Sequence, residues 1–356
     1  MAPLQNTRGR GAVSNPTGRY EALQAEAFDD GWRTEDPSPE QIRTSITLET
    51  PRKIITRNDS PDIGFDRSIN AYRGCEHGCI YCFARPTHAY MGLSPGLDFE
   101  TKLFAKPDAA KLLRAELSAK TYKVRPIAMG TNTDPYQPIE RKLRITRSVL
   151  EVLRELHHPC TITTKSNLLL RDLDILADMA RERLVKVGIS VTTLDRTLAR
   201  KMEPRAPTPQ RRIDAIRSLS AAGIPTSVMV APIIPSLTDH EMESVLERAA
   251  DAGASGAGYV LLRLPLEIKA LIREWLEVNA PDRAKRVISL LQSMHGGRDY
   301  DMTWGKRQTG DGPYAKLLAE RFRLAKQRLK LDRGSPPLAL DLFQPPKQDD
   351  AQLKLI

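Results

Sequence analysis

Cys75, Cys79 and Cys82 are the residues of this chain whose type and spacing most plainly suit chemistry. They stand in the run Tyr72-Arg-Gly-Cys75-Glu-His-Gly-Cys79-Ile-Tyr-Cys82-Phe-Ala-Arg85. Three thiolates in one short loop can hold three corners of a cubane iron–sulfur cluster, because soft sulfur ligands suit iron. The fourth iron then has no protein ligand and is open to a small molecule. A tetrahedral zinc site completed by His77 or His88 is the rival arrangement. Structural zinc loops, however, pair their ligands as closely spaced cysteines with a second pair further on, and no such pair follows here. Disulfides are disfavoured, since 4 Cys in 356 residues and a start without an apolar signal segment fit the reducing cytoplasm.

Such a loop needs a rigid frame, and the sequence supplies one. From Ser68 onward, short β-rich apolar runs alternate with helical patterns. Strands are expected at Ser68–Tyr72, Pro126–Gly130, Cys160–Lys165, Val185–Val191, Thr226–Ala231 and Gly258–Leu262. Helices are expected near Ala109–Lys120, Leu143–Leu156, Asp172–Glu182, Pro209–Ala222 and Asp239–Ala252, the last opened by a Thr238-Asp239-His-Glu241 capping box. Six βα repeats predict an α/β fold, a partial (β/α)6 TIM-like barrel. The cysteine loop follows its first strand, on the rim where such barrels carry their sites. Residues 1–60 read as a weakly structured, flexible arm with Tyr20, Phe28 and Trp32 as apolar anchors. Residues 61–265 form the core, 266–334 a helical C-terminal extension, and 335–356 a tail.

The cysteine spacing, with the aromatic Tyr81 just before the last cysteine, resembles the cluster loop of the radical S-adenosylmethionine superfamily. The resemblance covers roughly residues 65–265. Within the superfamily the chain is similar to the DNA-repair-photolyase-like branch, related to spore photoproduct lyase and including bacterial proteins of uncharacterised substrate. It shares the phrases Ser60-Pro-Asp62, Phe65-Asp-Arg-Ser-Ile-Asn70, Cys82-Phe-Ala-Arg-Pro86, Asp98-Phe-Glu100, Thr133-Asp-Pro-Tyr-Gln-Pro138, Thr164-Lys-Ser166, Glu203-Pro-Arg205 and Arg263-Leu-Pro265. The resemblance implies a 4Fe–4S cluster on the three cysteines and S-adenosyl-L-methionine on the open iron, cleaved reductively to a 5′-deoxyadenosyl radical. It also implies a reducing partner such as flavodoxin or ferredoxin.

Thr133, Lys165 and Ser190 lie at or near strand ends on the cysteine-loop rim. A lysine suits the cofactor's carboxylate, hydroxyls its amine or ribose, and Tyr81 its adenine. Arg205 and Arg212 are further cofactor candidates, with Arg211 as an alternative, because an arginine fork suits a carboxylate. Ordinary turn chemistry for Thr133 and Ser190, and an ion pair with Glu203 for the arginines, are the structural alternatives. One position departs from spore photoproduct lyase: Thr131 stands where that enzyme carries its hydrogen-donating cysteine. Cys160 reads as a small buried hydrophobe.

Net charge of +10 favours polyanionic partners. Lys316, Arg323, Lys326 and Lys330 follow helical spacing opposite an apolar stripe of Leu318, Phe322, Ala325 and Leu329, which makes them candidate nucleic-acid contacts. Trp304-Gly-Lys306-Arg307 adds an aromatic and charge within a glycine-rich stretch. No apolar run approaches the roughly 20 residues of a membrane span. The expected substrate is a nucleic acid. A peptide or protein is the alternative within the enzyme class, and a non-catalytic zinc- or Fe–S-binding nucleic-acid module the alternative outside it.

Overall fold

A computed structural model describes residues 7–21 and 42–346. The strands are β1 (Ser45–Leu48), β2 (Ile55–Arg57), β3 (Arg67–Ile69), β4 (Tyr72–Arg73), β5 (Lys102–Ala105), β6 (Ile127–Met129), β7 (Cys160–Thr164), β8 (Val185–Ser190), β9 (Thr226–Ile233) and β10 (Gly256–Leu261). Six of them, β3-β6-β7-β8-β9-β10, lie side by side and parallel, and β2 pairs antiparallel with β3. This is the expected partial barrel, with its open edges at β2 and β10. A second, small sheet has the order β1-β5-β4.

The helices are α1 (Asp98–Thr101), α2 (Ala109–Leu117), α3 (Glu140–Leu143), α4 (Ile145–Glu155), α5 (Leu173–Arg181), α6 (Arg196–Met202), α7 (Pro209–Ala221), α8 (Met242–Asp251), α9 (Ile268–Asn279), α10 (Pro281–Met294) and α11 (Pro313–Arg328). Strand alternation decides which residues they cover. Val185, Val187 and Ile189 of β8 and Val228 and Val230 of β9 are buried in the core with α5, α7 and α8. Lys186, Gly188, Ser190, Ser227 and Met229 therefore point to the opposite, inner face.

Local chemistry sets the helix ends. Asp195 caps α6 by accepting from the Thr197 and Leu198 amides at 2.7 and 3.1 Å. The expected capping box at Thr238 does not form. The Thr238 hydroxyl accepts instead from the Ile234 amide at 2.9 Å, and α8 is preceded by a 3-10 turn over Asp239–Glu241.

Two segments differ from the sequence reading. Residues 7–21 are not a loose arm: Arg10, Gly11, Ala12 and Val13 are buried against the cysteine loop. A Cβ on Gly11 would stand 1.9 Å from the Gly78 carbonyl oxygen, so only glycine lets the chain pass there. Of the expected anchors, Tyr20 is exposed and stacks on Tyr90, while Phe28 and Trp32 lie outside the described residues. The tail also docks as far as it is described. The Gln344 amide reaches the Leu156 carbonyl at 2.9 Å, and Phe343 packs on Tyr122 and His158.

The glycine-rich stretch bridges the barrel's open seam. On one side the Leu261 amide, at the end of β10, donates to the Gln308 carbonyl at 2.8 Å. On the other, the Gly305 amide and Arg307 Nε reach Asp62 at 2.7 and 2.5 Å, close in sequence to β2. In the C-terminal extension Leu318, Phe322 and Ala325 are buried as expected, and Phe322 meets Tyr259 of β10 at 4.7 Å between ring centroids. Because α11 ends at Arg328, Lys330 stands beyond it in a left-handed conformation (φ 57°) and is not part of its charged face.

Candidate functional site

The cysteine loop leaves the small sheet at Arg73 and is held by hydrogen bonds from every side. The Cys75 amide donates to the Phe99 carbonyl at 3.0 Å, and the Ile80 amide to the Met202 carbonyl at the same distance. Gln137, fully buried, accepts from the Glu76 amide at 2.9 Å and donates to the Gly74 carbonyl at 3.1 Å.

The main clamp is Arg85. Its Nε donates to the Cys79 carbonyl at 2.8 Å, one terminal nitrogen to the Pro95 and Gly96 carbonyls at 3.1 and 2.8 Å, and the other to the Gly78 carbonyl at 3.1 Å and to Glu100 at 2.5 Å. All five guanidinium donors are thus occupied. Glu100 completes the clamp by accepting the Gly11 and Ala12 amides, each at 2.8 Å.

Cys75 and Cys79 are buried and Cys82 nearly so. Burial pushes all three thiols up; for Cys75 the nearby Asp134 and the other two cysteines push the same way. Lys165 pulls Cys79 and Cys82 downward, which places its charge close to both. Buried thiols crowded this way ionise readily only when a metal compensates the charge. The donor set therefore fits an iron–sulfur cluster. No three His, Cys, Asp or Glu side chains among the described residues close on a point as around one metal ion; on a cubane each thiolate binds its own iron, which asks for a wider triangle.

Neither histidine of the zinc alternative is set up as a partner of the thiols. His88 is buried between Phe99 and Phe104 with Nε2 2.9 Å from the Lys102 carbonyl oxygen. His77 faces Asp134, its Nδ1 3.3 Å from Oδ2 but out of line for a hydrogen bond. Cys160 opens β7, four residues before Thr164 at the rim, or about 13 Å along a strand. Burial alone pushes its thiol up to about 12, as suits an inert core cysteine.

Of the cofactor candidates, Tyr81 and Lys165 meet directly. Lys165 Nζ lies 5.6 Å from the centre of the Tyr81 ring, and the residue has no carboxylate in ion-pair range among the described residues. The Lys165 amide donates to Asp134 Oδ2 at 2.8 Å, and the Thr164 hydroxyl to Oδ1 at 2.6 Å. Burial opposes the Asp134 charge, but His77 and these donors outweigh it and hold its pKa down at about 2. Asp134 thereby ties β7 to the cysteine loop.

The remaining candidates are engaged within the protein. The Thr133 hydroxyl donates to the Tyr72 carbonyl at 3.0 Å. Arg212 is buried, paired with Glu203, and donates to the Pro207 and Ser190 carbonyls at 2.9 and 3.2 Å. Arg205 is partly exposed and reaches Glu76 at 3.2 Å, beside Cys75. Ser190 is buried at the end of β8. Arg211 takes no part in these contacts.

Sequence reading missed the network behind Tyr81. Its hydroxyl donates to Glu203, which also accepts from Thr192 at 2.8 Å and from Arg212. The Arg212–Glu203 pair was one of the expected alternatives, but its link to Tyr81 was not. The missed residues Arg85, Glu100, Asp134 and Gln137 lie inside the shared phrases, whose polar members signalled function without saying which partner each would take.

The Radical SAM superfamily profile matches residues 69–249, half of the chain, including the three loop cysteines and every cofactor candidate just described. The chain belongs to the radical SAM superfamily. Its cofactors are accordingly a 4Fe–4S cluster and S-adenosyl-L-methionine, and it is an enzyme of a class that requires a reductant. The non-catalytic module is set aside by this membership. An uncharacterised protein of Mycobacterium tuberculosis (strain ATCC 25618 / H37Rv) is 39% identical over 283 residues, covering 77% of this chain and 78% of that protein. A radical SAM Nalpha-GlyT isomerase of Pseudomonas phage M6 is 26% identical over 272 residues, 74% of this chain and 53% of that protein. Among solved structures, a spore photoproduct lyase variant aligns with a TM-score of 0.57 at 15% identity, covering 82% of this chain and 81% of that one, which shows a common fold. No helix among the described residues is long and apolar enough to cross a membrane.

Replacing Cys75, Cys79 or Cys82 with Ala should remove the visible cluster absorption of anaerobically reconstituted protein, while Cys160→Ala should retain it. A Cys160→Ala protein unable to bind iron would make Cys160 a ligand and close the open corner.

Proposed function

We propose that the protein cleaves S-adenosylmethionine reductively and directs the resulting 5′-deoxyadenosyl radical at a nucleic-acid substrate. Cys75, Cys79 and Cys82 would hold the cluster, which when bound supplies the electron and the open iron for that cleavage. The observation that carries the reading is Lys165: a cation without a carboxylate partner among the described residues, above Tyr81 and electrostatically coupled to two of the thiols.

Lys165 would receive the cofactor's carboxylate and Tyr81 would lie along its adenine, with Ser190 on the adjacent strand offering a hydroxyl. Arg212 acts at one remove. It fixes Glu203, which fixes the Tyr81 hydroxyl, so the ring is oriented before any ligand arrives. Thr133 likewise orients the loop through Tyr72. Arg205, the more exposed arginine, remains able to turn toward a ligand. Thr131 shares hydrogen bonds with Asn70 at 3.3 and 3.5 Å and has no weak S–H bond to give, so any hydrogen atom returned to a substrate radical must come from another group. A flavodoxin or ferredoxin would supply the electron.

The nucleic-acid assignment is supported by the net charge of +10 and by the fold shared with spore photoproduct lyase. Lys316, Arg323 and Lys326 on α11, and Lys330 just beyond it, are the proposed phosphate contacts, although Arg323 also meets Glu320 and Gln327.

Reduced, cluster-loaded protein should form 5′-deoxyadenosine from S-adenosylmethionine even without substrate. Lys165→Ala should weaken cofactor affinity by about tenfold or more, as for a lost charge-assisted hydrogen bond, with iron content unchanged. No 5′-deoxyadenosine from fully loaded protein would refute the cleavage.

Affinity for DNA should fall as salt rises, with a slope of about −0.9 per phosphate contacted on duplex or about −0.7 on single strands. Changing Lys316, Arg323 and Lys330 together to Gln should make that slope shallower. Wild-type protein that binds no nucleic acid at low salt would overturn this substrate.

A further inference from the structure

Tyr81 and Phe83 stand on either side of Cys82 in the chain, and each ring carries a cation. Tyr81 is buried, its hydroxyl is fixed by Glu203, and Lys165 lies over it from just past β7. Phe83 is 43% exposed, and Arg263 lies over it from just past β10, at the seam. The two cations thus reach the cysteine loop from different strands, one over a covered ring and the other over an open one.

Arg263 is held in place yet keeps most of its donors. Its guanidinium carbon is 4.9 Å from the centre of the Phe83 ring and 5.9 Å from that of Tyr300, and its Nε donates to the Tyr300 hydroxyl at 3.2 Å. Stacking of this kind fixes the plane of a guanidinium without neutralising it. The two terminal nitrogens have no acceptor among the described residues, and no carboxylate there is in ion-pair range of Arg263. The acids on either side of Tyr300 serve other donors. Asp299 accepts from Arg273 and Gln292 at 2.8 and 2.9 Å, and Asp301 from the Thr303 amide at 2.9 Å. Arg85 and Arg212, by contrast, are buried and spend their donors on the protein. Arg263 is half-buried and oriented, with its fork free for an anion.

We propose that Arg263 is the substrate anchor of the barrel mouth, its fork receiving one backbone phosphate of a single nucleic-acid strand. The inference rests on the nucleic-acid reading above and adds the residue that would bring one nucleotide beside the cluster loop. A phosphodiester offers two oxygens that share one charge, and a guanidinium fork matches them together. An open arginine next to an exposed aromatic ring is a pairing suited to single strands, and the chain's net charge of +10 favours a polyanion over a lone carboxylate. The basic residues of α11 would then add attraction along the strand, while Arg263 would set its register.

The test is fluorescence anisotropy of a labelled single-stranded DNA oligonucleotide of mixed sequence, titrated anaerobically with cluster-loaded, full-length protein over a series of salt concentrations. Poly-glutamate serves as a competitor, and formation of 5′-deoxyadenosine is followed on the same wild-type preparation. Arg263→Gln should weaken binding by about tenfold or more and make the salt slope shallower by about 0.7, the share of one phosphate on a single strand. Arg263→Lys keeps the charge but not the fork, so its affinity should fall between the two. It also keeps a long stem over Phe83, which leaves the test decisive if Arg263→Gln fails to hold its cluster. Lys111→Gln, exposed on α2, should show neither change, and poly-glutamate should compete poorly. Wild-type binding that both Arg263 variants leave unaltered would overturn the anchor while the nucleic-acid reading stands. An equal loss in Lys111→Gln, an equal loss of S-adenosylmethionine affinity in Arg263→Gln, or competition by poly-glutamate as strong as by unlabelled oligonucleotide would also overturn it. A wild type that binds no oligonucleotide at low salt would overturn anchor and substrate together. Absence of 5′-deoxyadenosine with Arg263-dependent binding intact would refute the cleavage and leave the anchor.

Discussion

The buried pair of Arg85 and Glu100 is the contact on which the geometry of the rim depends. Arg85 gathers the carbonyls of Gly78 and Cys79 from inside the cysteine loop and those of Pro95 and Gly96 from the turn beyond it. Glu100 carries the same clamp outward to the amides of Gly11 and Ala12. Both side chains are fully buried, so removing either would leave a charge uncompensated, typically at a cost of about 3–5 kcal/mol. A buried pair is a weak source of net stability, but it defines one arrangement among many. A cluster loop needs that definition, since its three sulfurs must stand apart at fixed corners.

Around this clamp the rim sorts its residues into those that hold and those that remain available. Asp134, Gln137, Thr133, Glu203 and Arg212 have their polar atoms engaged with the loop or with Tyr81. Lys165 alone among the rim cations described lies close to the thiols with no carboxylate in ion-pair range of its ammonium. The division follows from solvation: fully buried polar groups must be matched within the protein, while a half-buried lysine can await an anion. The strap of residues 305–308 closes the seam left by six strands and joins β10 to the Asp62 turn. Arg263, just past β10, lies 4.9 Å from the centre of the Phe83 ring next to Cys82, so the seam side of the mouth is built from the cluster loop as well.

Much of this was legible in the amino-acid order. The six parallel strands were visible because Cys160–Thr164, Val185–Ser190 and Thr226–Ile233 are β-rich runs bounded by helical periodicity. The cysteines were visible by spacing, and Lys165 by its place at the end of a strand. Other features were hidden because they are properties of the folded chain. Arg85 and Glu100 are 15 residues apart, and nothing local says that they meet. The short strands β1, β2 and β5 gain their order from pairing rather than from pattern. Arg10–Val13 lie in a stretch that reads as weakly structured, yet they are buried where Glu100 accepts the Gly11 and Ala12 amides and, through its carbonyl, the Arg10 side chain. Lys330 fits the helical spacing, but the helix stops before it.

The central claim is that the three loop cysteines leave one iron of the cluster for S-adenosylmethionine. Mössbauer spectroscopy of iron-57-reconstituted protein, recorded anaerobically before and after adding the cofactor, addresses it most directly. The account predicts that one iron site in the cubane separates from the other three and takes on parameters of higher coordination, and that the change is lost in Lys165→Ala at cofactor concentrations that saturate the wild type. Four irons that remain alike in the presence of saturating cofactor would contradict it.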